Sequence, residues 1–239
     1  MKSYKLLLLT IIISFMTGQS VSKTGTTAAQ FLKLGIGSRA LSMGGAFTAI
    51  ANDASALYWN PSGIAKIKRP QVLLDHYDWV LDIDLDFIGI VIPTPTLGTI
   101  GIALNFLHMG EMEVTTTHEP EGTNEKFISS SYVGQLSLAR NLTDRFSLGI
   151  SLKYIQENIY NSSAKGASID LGTLYQTQIP GLVMGMSISN YGSKMQMLGR
   201  DLLIQAEIDP SLESDPSNIN ANFLTDKFDL PLIFRFGLA

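Results

Sequence analysis

The sequence predicts an all-β fold, a transmembrane antiparallel β-barrel, and three observations lead there. Of 239 residues, 45% are hydrophobic and only 16% are charged, against roughly 25% charged in soluble domains. No apolar run after residue 20 approaches the roughly 20 residues that a helical span requires. Apolar and small polar residues alternate strictly, two by two, along several stretches. A backbone in lipid must satisfy its polar groups internally, which helices and closed barrels alone achieve. With helices excluded, the barrel remains.

The first residues read as an export signal. Lys2 and Lys5 give a positive start, Leu6 to Phe15 an apolar core, and Thr17 to Ser22 a small, polar end with Ser20-x-Ser22 in the cleavage positions. Cleavage is expected after Ser22. The alternative, an uncleaved anchor helix, is disfavoured by the shortness of the apolar core. The chain therefore divides into a signal peptide (1–22), an N-terminal hatch or plug segment (23–69) and a partial β-barrel (70–239).

Eight strands are read near 70–78, 81–93, 97–108, 127–140, 145–157, 165–177, 181–191 and 229–239. The clearest places Phe146, Leu148, Ile150, Leu152 and Tyr154 on one face, and Ser147, Gly149, Ser151 and Lys153 on the other. Such period-two alternation marks a strand. In a membrane barrel the apolar set faces lipid and the small polar set faces the lumen. Ile100 to Phe106, Ile169 to Tyr175, Leu182 to Ile188 and Leu232 to Leu238 repeat the pattern. A soluble β-sandwich also alternates, but the polar face here is rich in Gly and Ser, and an export signal precedes it.

The connections support the barrel independently. Pro93–Thr96, Asn141–Asp144 and Gln178–Pro180 are short and follow even-numbered strands, whereas Met109–Lys126 and Gly192–Phe228 are long and follow odd-numbered ones. Barrels sort short periplasmic turns from long outer loops in this way. Residues 192–228 read either as a large outer loop with some helix or as an irregular strand pair, and the loop is preferred.

Few residues carry chemistry. The chain has no cysteine, which removes disulfides, thiolate metal sites and cysteine nucleophiles. Its net charge of −4, without a basic cluster, argues against a nucleic-acid footprint. His76, His108 and His118 lack metal-ligand spacing to one another. Asp82, Asp84 and Asp86 share one strand face. Clustered carboxylates suit Ca²⁺, but the plainer reading is a solvated lumen face with Leu81, Ile83 and Leu85 outward. No G-x-S-x-G motif is present, and His108 beside a lumenal serine is the one hydrolase arrangement left open. The expectation is no enzyme, no cofactor and no metal. Tyr77, Trp79, Tyr132, Tyr154, Tyr160, Tyr175 and Tyr191 lie near strand ends and read as interfacial girdles.

The segment before the first strand differs from the strands. Gly44 and Gly45 permit a tight turn. Asn52 or Asp53 can cap a short helix ending at Leu57 or Tyr58, and Asn60-Pro61-Ser62-Gly63 stops it. Its pieces Gly37-x-Arg39-Ala40, Met43-Gly44-Gly45-Ala46, Asp53-Ala54-Ser55-Ala56 and Trp59-Asn60-Pro61 resemble the N-terminal signature of the PorV/PorQ family, within the FadL-like outer-membrane superfamily. His76-Tyr77-x-Trp79 and Asp82-x-x-x-Asp86-Phe87 resemble that family's first hairpin.

The resemblance implies a barrel of about fourteen strands with the N-terminal segment folded inside as a hatch. Gly44, Gly45, Phe47, Trp59, Asn60 and Pro61 would be its binding and gating residues. It implies a place in the outer membrane, in contact with lipid. It further implies an accessory role in type IX secretion, with secreted cargo proteins and secretion-complex subunits as partners. The superfamily's other activity is hatch-gated passage of long-chain fatty acids or other hydrophobic small molecules. This sequence departs by ending at Ala239 after eight strands, without a C-terminal aromatic residue. Side chains alone fill an eight-stranded barrel, so the chain is expected to be a fragment of a longer wall.

Overall fold

A computed structural model describes residues 26–207 and 218–239; the expected signal peptide lies outside the described residues. Among the described residues one antiparallel sheet has nine strands, eight of them side by side in sequence order: β1 (Gln71–Asp78), β2 (Ile83–Thr94), β3 (Gly98–Met109), β4 (Ser129–Asn141), β5 (Phe146–Ile159), β6 (Ser162–Gln176), β7 (Val183–Gly192) and β8 (Ile233–Leu238). Each lies within a few residues of its expected position. The six strands from β2 to β7 have 12, 12, 13, 14, 15 and 10 residues. About nine to eleven suffice to cross a bilayer when tilted. β1 and β8 are the sheet's edges, and no ladder joins them among the described residues.

The sheet is inside out by the standard of a water-soluble protein. On β5, Leu148, Ile150, Leu152 and Tyr154 are exposed, Leu152 by 54%, whereas Ser151 opposite is 1% exposed and Ser147 wholly buried. The same holds on neighbouring strands. Ile88, Ile90 and Ile92 of β2, Ile102, Leu104 and Phe106 of β3, and Phe234, Phe236 and Leu238 of β8 face outward. The alternation therefore sets burial, with the polar set inward.

What covers the polar face is the N-terminal segment. It runs through a 3-10 turn (Gln30–Lys33), helix α1 (Ser38–Ser42), helix α2 (Ala56–Trp59) and a second 3-10 turn (Pro61–Lys66). Ile36, Phe47, Leu57, Trp59 and Ile64 join Leu85, Phe87, Val91, Ala103 and Ala139 of the sheet in the main hydrophobic cluster. Phe31, Leu32, Val133, Ile155 and Met195 form a second.

A bulge lies between β6 and β7. Ile169 pairs with Tyr191 and Leu171 with Ile188, so Asp170 opposes two residues, Ser189 and Asn190. Asn190 takes a left-handed backbone (φ 64°), a conformation that asparagine tolerates better than most residues. Its N–H is lost to the ladder and donates instead to Asp170 Oδ1 at 2.8 Å. Lys153 Nζ lies 2.5 Å from Asp170 Oδ2, and the two side chains are 5% and 0% exposed. The lysine also donates to Asn190 Oδ1 at 3.0 Å.

Three expectations are corrected. Residues 192–228 are not simply a loop: Leu203–Glu207 and Asn218–Asn222 form an antiparallel pair, and Leu198–Gly199 pairs with the start of β6. Leu85 points inward and is buried, while Asp84 and Asp86 point outward with Ile88. Here the apolar set is needed inside, against the N-terminal segment. Asp82 lies in the β1–β2 turn, where Leu81 and Asp82 both have positive φ. Tyr77 is no girdle residue either, since its hydroxyl lies inward, donating to Asp75 Oδ2 and accepting from Gly37 N–H.

Candidate functional site

Irregular backbone buried inside a sheet needs partners for its carbonyls, and the inward polar side chains supply them. Gln135 of β4 donates to Leu57 O at 2.8 Å, Ser187 of β7 to Trp59 O at 2.9 Å, and Asn141 of β4 to Ala65 O at 3.1 Å. Asn60 is wholly buried. Its amide donates to Thr48 O at 2.8 Å and to Thr173 O of β6 at 3.1 Å. Its Oδ1 accepts from Ser62 N–H and Oγ–H, at 3.2 and 2.7 Å. Asn60 thus caps the second 3-10 turn, which starts on Pro61, and fastens it to the sheet.

The sheet is shaped to receive that turn. A Cβ at Gly149 would stand 2.3 Å from Ser62 N, and one at Gly172 would stand 2.1 Å from Asn60 Oδ1. Gly149→Val is therefore expected to push the segment off the wall. Overpacking of this kind costs about 1–3 kcal/mol, occasionally more. Protease susceptibility of residues 26–67 in the folded, detergent-solubilised chain checks it, because a seated segment resists cleavage.

Beside the seated turn lies an open cleft of about 680 Å³, between the segment and β8. Gly44, Gly45, Phe47, Tyr58 and Trp59 line one side, and Phe234, Arg235 and Phe236 the other. Gly44 and Gly45 both have positive φ, at 63° and 78°, which forms the turn that shapes the cleft's lip. Trp59 donates Nε1–H to Ile36 O at 2.7 Å and packs edge-on against Phe47 and Tyr58. The Arg235 guanidinium sits 5.1 Å from the ring centroids of both Tyr58 and Trp59. It donates to Ser189 Oγ and Tyr58 Oη, each at 3.3 Å. Burial raises the Tyr58 phenol above its ordinary pKa, against the opposing pull of Arg235. The hydroxyl stays neutral and donates to Leu32 O at 3.1 Å.

A family model matches residues 11–168, which include the whole described N-terminal segment and strands β1 to β5. The chain belongs to the uncharacterised protein family UPF0164. No curated protein matches it. Among solved structures, this UPF0164 chain is similar to a Pseudomonas aeruginosa FadL homologue, at 15% identity and a TM-score of 0.36. The match covers 63% of this chain and 49% of the homologue, so the chain spans about half that protein's length.

The UPF0164 segment brings the six sequence-predicted residues together in two groups. Gly44, Gly45, Phe47 and Trp59 border the cleft, whereas Asn60 and Pro61 are anchors beneath it, in contact with Gly172. Asp53 accepts from Ser55 N–H at 3.0 Å just ahead of α2, while Asn52 accepts from Arg39 at 2.7 Å instead. Tyr58 and Arg235 escaped the sequence reading as site residues. Arg235 carried a signal, being the lone cation on the inward face of an apolar strand. His108 faces outward with Phe106, its Nε2 3.2 Å from Asp84 Oδ2, so it cannot serve a serine on the inward face.

Proposed function

We propose that this chain forms the wall and hatch of an outer-membrane β-barrel, and that the cleft beside the hatch admits a small molecule with an apolar body and an anionic end, of the long-chain fatty-acid class. The observation that carries the membrane reading is the reversed polarity of the sheet. An apolar face on every strand from β2 to β8, bordered by aromatic residues such as Tyr154 and Tyr175, matches the outward band of such barrels. The polar face is occupied by the N-terminal segment, as a plug would be. Under this reading, strands beyond β1 and β8 complete the ring.

The ligand class follows from the cleft. Leu41, Phe47, Ile50 and Trp59 offer apolar surface. Arg235 offers charge, and its guanidinium has five N–H donors, of which two are engaged within the protein. Arg235→Gln is expected to weaken binding of a fluorescent long-chain fatty acid by roughly tenfold, the value of one charge-assisted hydrogen bond. An alcohol of equal chain length should bind the two proteins alike. Equal weakening for acid and alcohol would sink the carboxylate assignment.

A second reading rests on the signature from Gly37 to Pro61, which resembles the PorV/PorQ family. It makes the chain an accessory of type IX secretion, with the long β7–β8 connection meeting cargo proteins and secretion-complex subunits. Cells lacking the protein separate the two: loss of fatty-acid uptake supports passage, and loss of surface-attached proteins supports secretion.

A further inference from the structure

At the loop end of the first three strands, directly beyond the apolar band, the outward face changes character. His76 and Asp78 of β1, Asp84 and Asp86 of β2, and His108 of β3 occupy adjacent outward positions. The register makes them neighbours: His76 opposes Asp86, Asp78 opposes Asp84, and Asp84 opposes His108. We infer that His76, Asp78, Asp84 and His108, with Asp86 behind the two rings, form a site for a divalent transition-metal cation of the Zn²⁺ type.

Ligand chemistry is the first support. One donor atom each from His76, Asp78 and Asp84 falls within a sphere of mutual distances no greater than 4.8 Å. His76 Nε2 and Asp78 Oδ1 are 3.1 Å apart. Four ligands held at about 2.0–2.2 Å in a tetrahedron stand roughly 3.3 Å from one another. Small rotations of exposed side chains bring the wider pairs to that spacing. His108 Nε2, 3.2 Å from Asp84 Oδ2, supplies a further nitrogen.

The second support is the carboxylate behind each imidazole, the partner that orients metal-binding histidines. Each imidazole has a carboxylate at both ring nitrogens. His76 Nδ1 is 2.8 Å from Asp86 Oδ1 while its Nε2 faces Asp78, and His108 Nδ1 lies 3.8 Å from Asp86 Oδ2 while its Nε2 faces Asp84. A neutral His76 that gives its Nδ1–H to Asp86 turns its Nε2 lone pair toward Asp78. A cation between them takes the nitrogen and the carboxylate together, with Asp86 orienting the ring from behind. Among the described residues, the two imidazoles are also the only ion-pair partners of Asp78, Asp84 and Asp86. Even two imidazolium ions would leave one of the three carboxylates uncompensated. Imidazole nitrogen favours zinc-like metals over Ca²⁺ and Mg²⁺, which prefer all-oxygen sites.

The site is independent of the cleft, which lies on the opposite face of the sheet, so its failure would leave fatty-acid passage untouched. The test uses the full chain in detergent, dialysed against Zn²⁺ with metal analysis. One Zn²⁺ per chain is expected, retained in excess Ca²⁺, and affinity should fall at least tenfold in the His76→Gln/Asp84→Asn double variant. Diethylpyrocarbonate labelling of the wild type needs no substitution: Zn²⁺ should protect His76 and His108 but leave His118, in the β3–β4 connection, reactive. Substoichiometric metal, displacement by Ca²⁺, wild-type affinity in the double variant, or equal labelling of all three histidines with and without Zn²⁺ would each overturn the assignment.

Discussion

Replacing Lys153 with methionine is expected to lower the stability of the folded chain by about 3–5 kcal/mol, the usual cost of removing one partner of a buried ion pair. Asp170 would be left charged, buried and without its cation. The aspartate cannot simply be discarded, because its other oxygen accepts the N–H of Asn190, which the bulge has removed from the ladder. Two double variants separate these roles. Lys153→Met/Asp170→Asn keeps an acceptor for that N–H and should recover most of the loss. Lys153→Met/Asp170→Leu removes the acceptor as well, and leaving a buried donor unpaired costs about 1–3 kcal/mol. Urea unfolding in detergent should place Lys153→Met/Asp170→Asn nearest the wild type, Lys153→Met/Asp170→Leu below it and Lys153→Met lowest. Equal stability of both doubles would show that the bulge does not depend on Asp170.

Ile150→Arg tests the solvent of the outer face. Ile150 is 42% exposed in the middle of β5, with Leu136 and Leu138 beside it on β4 and Leu171 on β6. In water an exposed isoleucine so placed would accept arginine with a change within about 0.5 kcal/mol. Facing the middle of a bilayer, the same substitution costs about 2–4 kcal/mol. Folding into liposomes should therefore drop sharply for Ile150→Arg. Leu142→Arg, in the β4–β5 turn, should fold as the wild type does. Folding of the Ile150 variant in buffer alone, as a soluble monomer, would end the membrane proposal.

The strands were legible because their order is one-dimensional: a period of two, broken by Pro, Gly, Asn and Asp, fixes where each begins and ends. Which face an alternating run presents is a different matter. Around Leu81 to Asp86 the apolar parity looks lipid-facing taken alone, yet Leu85 is inward. Following parity through Gly89 to Ile88, Ile90 and Ile92 would have revealed it, since an unbroken strand cannot change face. The cleft was half legible. Gly44, Gly45, Phe47 and Trp59 are marked by local peculiarities, whereas Arg235 meets Tyr58 across 177 residues of sequence, and nothing local announces such a meeting. Lys153 and Asp170 were each visible as charges on a polar strand face. Their diagonal contact depends on the hairpin that sets the register of β5 against β6.

That separation along the chain has a consequence for biogenesis. The N-terminal segment is synthesised before every strand that seats it. Asn60 waits for Thr173, Trp59 O for Ser187, and Tyr58 for Arg235, at separations of 113, 128 and 177 residues. Distant pairings of this sort are slow to form. Until they do, the oily side chains of Phe47, Leu57 and Trp59 lack their native cover, so under the outer-membrane reading proposed above a holding chaperone between the two membranes would act chiefly on this N-terminal segment.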